Sequence, residues 1–240
     1  MDKVTKLCAA GRWSDAEVLA RERLEAIEER ASAAGLPPLE GPELASYQQE
    51  IALPRARAVR QLVEVLVDGD RAEAATEHMM DLRRLYRPFM SDHGCAAEYH
   101  LTVAGHAACG GSSRLAEDSL QAALDHAATS ADHRMLHARA LRLKAHLSIL
   151  KWEPDEGVAL LEEALGLLDS TTDTGALLRV QYLLSLAEVH YGREDPAKSE
   201  RCVSAALDAL ANYPLVNDDE IVDHCNRRAE LVRAVNEPGE

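Results

Sequence analysis

Residues 177–207 read LLRVQYLLSLAEVHYGREDPAKSERCVSAAL, from Leu177 to Leu207. Leu177, Val180, Leu183, Leu184, Leu186, Ala187 and Val189 recur at helical spacing and cover much of the circumference of a helix reaching Tyr191. A helix apolar on more than one stripe is packed on two sides, as in a stack. The polar run Gly192-Arg193-Glu194-Asp195-Pro196 interrupts it. Pro196 stands where a second helix starts, the place where a missing N–H costs nothing. That second helix closes on Ala206-Leu207. The stretch predicts a helix–turn–helix unit.

The same grammar occurs twice upstream. Residues 96–124 carry the turn Cys109-Gly110-Gly111-Ser112-Ser113 and end in Ala123-Leu124. Residues 135–165 carry the turn Lys151-Trp152-Glu153-Pro154-Asp155 and end in Ala164-Leu165. The Ala-Leu endings are 41 and 42 residues apart, a period that marks a repeat architecture. Two weaker members precede them, at 1–34 and 43–88, around Gly11-Arg12-Trp13-Ser14-Asp15-Ala16 and Gly69-Asp70-Arg71-Ala72-Glu73-Ala74. The Pro- and Gly-rich segment 35–42 reads as a linker, and the helix expected over 43–67 is broken or kinked at Pro54. Asp218 is positioned to cap a closing helix in which Ile221, Cys225, Ala229 and Val232 keep helical spacing. The expected layout is a repeat domain over 1–215 and a capping helix with a tail over 216–240. No hairpin turn between alternating runs appears, so the fold class expected is all-α.

Composition agrees. The chain of 240 residues has 40 Ala and 4% aromatics, and Ala and straight-chain residues favour helix. A formal charge of −15 argues against a nucleic-acid binder, which needs a basic footprint, and against an anionic membrane surface. The first residues, Met1-Asp2-Lys3-Val4-Thr5-Lys6, lead into no apolar signal region, and no apolar run of membrane-spanning length exists. Five widely spaced cysteines form no Cys-x-x-Cys pair, so each is expected as a small buried hydrophobe in a reduced, cytoplasmic protein.

On the residues Gly11-Arg12-Trp13-x-Asp15-Ala16, Gly69-Asp70-Arg71-Ala72-Glu73-Ala74 and the three Ala-Leu endings, the chain resembles the tetratricopeptide repeat superfamily. In the third repeat Leu183, Leu186, Ala187 and His190 match that family's first-helix packing positions, and Ser199, Val203 and Ala206 its second-helix positions. Lys144 departs from the pattern, and the first-helix aromatics are largely missing. The period exceeds the usual length of about 34 and is similar to the longer repeats of kinesin light chains and maltose-regulator-type activators. The resemblance implies a right-handed α-solenoid of antiparallel helix pairs with a concave binding groove.

Chemistry is harder to find. Seven of the ten histidines lie between His93 and His146, yet none has Glu or Asp three residues before it, the spacing of a carboxylate-bridged di-metal bundle. His133 and His137 form a His-x-x-x-His pair without the Glu of a metalloprotease motif. An all-helical metalloenzyme resting on that pair is the least favoured reading, and no metal or other cofactor is assigned. Gly110-Gly111-Ser112-Ser113 has no Walker Lys and no preceding strand, and reads as an inter-helix turn. His224 and Cys225, adjacent on a helix, diverge too far for a catalytic dyad.

One pattern stands out. Arg139, Arg142 and His146 lie at i, i+3 and i+7, a basic stripe on one helix face. In the repeat alignment this face lines the concave groove, with Glu98, Gln181 and Glu188 at comparable positions. Arg forks suit a carboxylate, and the stripe partly resembles the carboxylate clamp of chaperone-binding members, without its Asn and Lys pattern. The opposing reading pairs Arg139 and Arg142 with Glu98 and Glu188. The function expected is a non-catalytic interaction scaffold for a protein or peptide with an acidic segment. The alternative is the ligand- or peptide-sensing part of a bacterial-type regulator. A homodimer is a further expectation, with a second copy covering the apolar face of the truncated first helix.

Overall fold

The computed structural model describes residues 2–35, 41–169, 171–212 and 219–236. These residues form packed α-helices, and no strand occurs among them. None of the helices is long and apolar enough to cross a membrane. The linker core 36–40 and the expected cap Asp218 lie outside the described residues.

By its packing the chain divides into two compact units, Arg12–Thr129, and Met1–Gly11 with Ser130–Glu240. The second unit holds α1 (Lys3–Ala9), α8 (Arg134–Leu150), α9 (Pro154–Leu167), α10 (Asp173–Gly192), α11 (Pro196–Ala211) and α12 (Asp219–Asn236). The other holds α2 (Trp13–Ala34), α3 (Pro42–Tyr47), α4 (Leu53–Asp68), α5 (Ala72–Tyr86), α6 (His93–Cys109) and α7 (Ser113–Ala127). The repeat helices thus run a few residues beyond the 96–124, 135–165 and 177–207 spans. Pro154 and Pro196 open α9 and α11, as their missing N–H favours.

Among the described residues, four side chains cap α-helix N-termini: Asp2, Asp92, Thr172 and Asp195 accept from the backbone N–H groups of Thr5, Cys95, Gly175 and Lys198 at 2.8–3.1 Å. The break expected at Pro54 is a widened helical turn over Gln48–Ala52, where the Leu53 N–H reaches back to the Gln48 carbonyl. Proline gives no N–H to the turn before it, and its ring crowds the carbonyl four residues back; the backbone relaxes by that one-residue expansion.

Five turns share one geometry. Gly11, Asp70, Gly111, Trp152 and Glu194 occupy the left-handed region, with φ between 58° and 73°. After four of them the next N–H reaches back into the preceding helix: Arg71 to Leu66, Ser112 to Ala107, Glu153 to Ser148 and Asp195 to His190, at 2.7–3.0 Å. This is the Schellman closure of a helix C-terminus. Counted from each left-handed residue, the fifth position onward is small and buried in every case: Ala16, Ala75, Ala116, Gly157 and Ser199. The seventh position back is equally buried: Val4, Val63, Ala104, Ala145 and Ala187. Between α8 and α9, and between α10 and α11, the two positions meet where the helices cross. A Cβ on Gly157 would stand 2.6 Å from Ile149 Cγ1 and 3.3 Å from the Ala145 carbonyl, and the Ser199 hydroxyl donates to the Ala187 carbonyl at 2.9 Å.

In the unit Arg12–Thr129, α4 packs against α2, α5 and α6 around Leu62, Val63, Leu82 and Tyr86. In the other unit α10 packs against α8, α9, α11 and α12, and α1 lies on α12. Ala9 and Ala10 share a core with Leu184, Ile221, Cys225, Ala229 and Val232. The apolar face of the short first helix, expected to await a second copy, is therefore covered by the closing helix of its own chain.

Candidate partner-binding site

The helix α8 carries Arg134, Arg139, Arg142 and Lys144 and no carboxylate, within a chain of net charge −15. Ala138, Ala140, Leu141, Ala145 and Ser148 are its buried positions, with all but Ala140 on one packed face. Arg139, Arg142 and His146 fall on the adjacent face: Arg142 and His146 are exposed and Arg139 is half-buried.

The Arg142 guanidinium carbon lies over the Tyr182 ring of α10, 5.7 Å from its centroid. Such a stack is worth about 0.5–1 kcal/mol at an exposed site. Among the described residues no ion pair holds Arg142. Tyr182 itself is completely buried, and among the described residues its hydroxyl has no hydrogen-bond partner. Burial pushes its phenol pKa up, against the pull of Arg142 and Arg139. Burial, then the Arg142 charge, holds His146 below the ordinary imidazole value, so this residue is neutral at pH 7.

The carboxylates aligned with the stripe have other partners. Glu188 receives two hydrogen bonds from Arg228 of α12, at 2.7 and 2.8 Å, and Arg228 also donates to Ser185 at 3.2 Å. In the other unit, Glu98 accepts from the Tyr86 hydroxyl at 3.0 Å and from Arg57 at 3.2 Å. Arg60 joins that network through Glu64 at 2.7 Å; Glu64, Tyr86 and Glu98 outweigh the burial that opposes its charge. Gln181 is half-buried, and its backbone carbonyl accepts from Ser185 at 3.0 Å.

The histidines gather in a place that their spacing did not indicate. His93 and His126 bring their Nδ1 atoms within 2.9 Å, and His100 stacks on His126 with centroids 5.8 Å apart. The one signal in the sequence is the seven-residue interval between His93 and His100, which places both on one face of α6; His126 comes from α7. Among the described residues no three His, Cys, Asp or Glu side chains converge as metal ligands. His133 immediately precedes α8, and its Nδ1 is buried with no partner among the described residues.

The remaining motifs resolve as structure. In the glycine turn, the Ser112 N–H is spent on the Ala107 carbonyl at 2.8 Å. Cys225 points into the core while its neighbour His224 packs on Gly11, where an added Cβ would come within 2.8 Å of the imidazole. The cysteines depart from the expectation of uniform burial. Cys95 and Cys225 are buried, Cys8 and Cys202 half-buried, and Cys109 is exposed because it ends α6 beside the turn. Burial raises the Cys95 thiol pKa to about 11, with Asp92 adding to it. No protein-family model matches the chain, and no curated protein matches it.

Proposed function

We propose that the chain is a non-catalytic partner-binding module of the tetratricopeptide-like class. Residues 1–215 would form a right-handed solenoid of antiparallel helix pairs, and 216–240 the closing helix and tail. The common turn geometry, and the small buried residues in one register about it, support that reading. Arg139, Arg142 and His146, with Gln181 beside them, would receive the acidic segment of a protein or peptide.

The observation that carries the site is Arg142. It lies exposed on an aromatic ring with no carboxylate against it among the described residues, while Glu188 and Glu98 are engaged by other arginines. A guanidinium held in that way keeps its donors for an incoming anion. Co-purification from the native host, comparing wild type with an Arg139→Glu/Arg142→Glu double variant, tests it. The expected result is a partner recovered with the wild type, released by raised salt and lost with the double variant. Identical recoveries from the two proteins would sink the reading.

A further inference from the structure

Tyr182 is a polar side chain that the fold leaves unexplained. It lies on α10, whose Val180, Leu184, Leu186 and Ala187 are buried as well, and a phenylalanine would fill the same space without the oxygen. The residue has no exposure at all, yet its hydroxyl donates to nothing and accepts from nothing. A buried donor without an acceptor lowers stability, so packing alone does not account for the oxygen.

Its surroundings indicate what is missing. Arg142 lies over the ring, and both Arg142 and Arg139 act electrostatically on the phenol oxygen. Guanidinium groups have donors and no acceptor, so neither can take the tyrosine proton. The Tyr182 proton thus finds no acceptor on either guanidinium. A carboxylate has the matching character, with two oxygens that only accept. One can take the O–H of Tyr182 and the other the fork of Arg142, each as a charge-assisted bond. Arg142 is also the group that can move: it is exposed, and among the described residues it has no ion pair to break.

We propose that the Tyr182 hydroxyl is a ligand-contacting group, and that Tyr182 and Arg142 together seat a carboxylate of an acidic peptide when Arg142 turns off the ring. This deepens, and rests on, the partner-binding reading of the stripe. Arg142 adds selectivity, because a guanidinium repels an ammonium and has no acceptor to offer it.

A fluorescent octaglutamate peptide is the probe, with a free or an amidated C-terminus, measured at low salt. It is titrated against wild type, Arg142→Ala and Tyr182→Phe, and the three proteins are also melted without peptide. The wild type is expected to bind, and Arg142→Ala to bind more weakly. Tyr182→Phe should lose about tenfold in affinity, which corresponds to about 1.4 kcal/mol. The same variant should melt about 2–4 °C higher, because the unsatisfied hydroxyl is gone. Retained binding of the amidated peptide identifies side-chain carboxylates as the source, and its loss identifies the terminal one. If Arg142→Ala weakens binding and Tyr182→Phe does not, the hydroxyl has no such role and the acidic-partner reading stands. A Tyr182→Phe protein that melts lower than wild type also overturns the proposal, since the oxygen is then structural. If the wild type ignores both peptides, the acidic-partner reading fails, and the hydroxyl proposal with it.

Discussion

Trp152 sits at φ +64°, where a side chain crowds its own backbone, and its indole is 92% exposed. Left-handed backbone costs a non-glycine residue roughly 1–2 kcal/mol, and nothing at the Trp152 side chain offsets it. Trp152→Gly is therefore expected to stabilise the protein by about 1 kcal/mol, read as a melting temperature about 2–4 °C higher. The turn is legible in the sequence, but the residue bearing the strain is not. Gly69 comes one residue before the left-handed Asp70 and itself has φ −85°. Its role is close approach: a Cβ there would stand 3.0 Å from the Val65 carbonyl and 3.2 Å from Trp13 Cβ. Tyr182 shows the same limit, since a hydrophobic stripe in the sequence does not reveal whether a tyrosine oxygen within it finds an acceptor.

A pair of helices is held at the crossing where a small residue faces a backbone carbonyl. Replacing glycine by alanine inside a helix usually gains about 0.5–1 kcal/mol. At Gly157 the sign should reverse. The added Cβ meets Ile149 Cγ1 at 2.6 Å and the Ala145 carbonyl at 3.3 Å, so α8 and α9 must part. Gly157→Ala is expected to destabilise by about 1–3 kcal/mol, measured by urea unfolding. Helix starts were open to sequence reasoning because Pro154 and Pro196 mark them chemically. The crossing register was not, because Ala, Gly and Ser at the equivalent positions share only their size, and size is decided by the partner helix. The histidine cluster escaped for a related reason: pairing between helices has no spacing within one helix.

At the scale of the molecule, four histidines make stability depend on pH. His100, His146, His190 and His224 all titrate below the ordinary value of 6.5, burial being the main cause in each. Neighbouring positive groups add to it: His126 for His100, Arg142 for His146, Lys198 and Arg193 for His190, and Arg227 and Arg228 for His224. With the native pKa depressed, the unfolded chain binds the proton first. The contribution is therefore complete above about pH 6.5 and is lost as pH falls through the native values. Asp195 and Glu200, lowered by their hydrogen bonds to Lys198 and Arg233, act only at more acid pH. The melting temperature should fall on the order of 5 °C between pH 7 and pH 5. His190→Gln should flatten that slope relative to its own value at pH 7. A flat profile for the wild type over this interval would refute the assignment.

The packing of α1 on α12 also has a consequence for biosynthesis. Val4, Ala9 and Ala10 are translated more than two hundred codons before Ile221, Cys225, Ala229 and Val232. The core they enter cannot close before the ribosome has read past Val232. Until then α1, at seven residues, is too short to persist alone. That unit can therefore complete its folding only once α12 has been synthesised, whereas Arg12–Thr129 has all of its own residues to hand more than a hundred codons earlier.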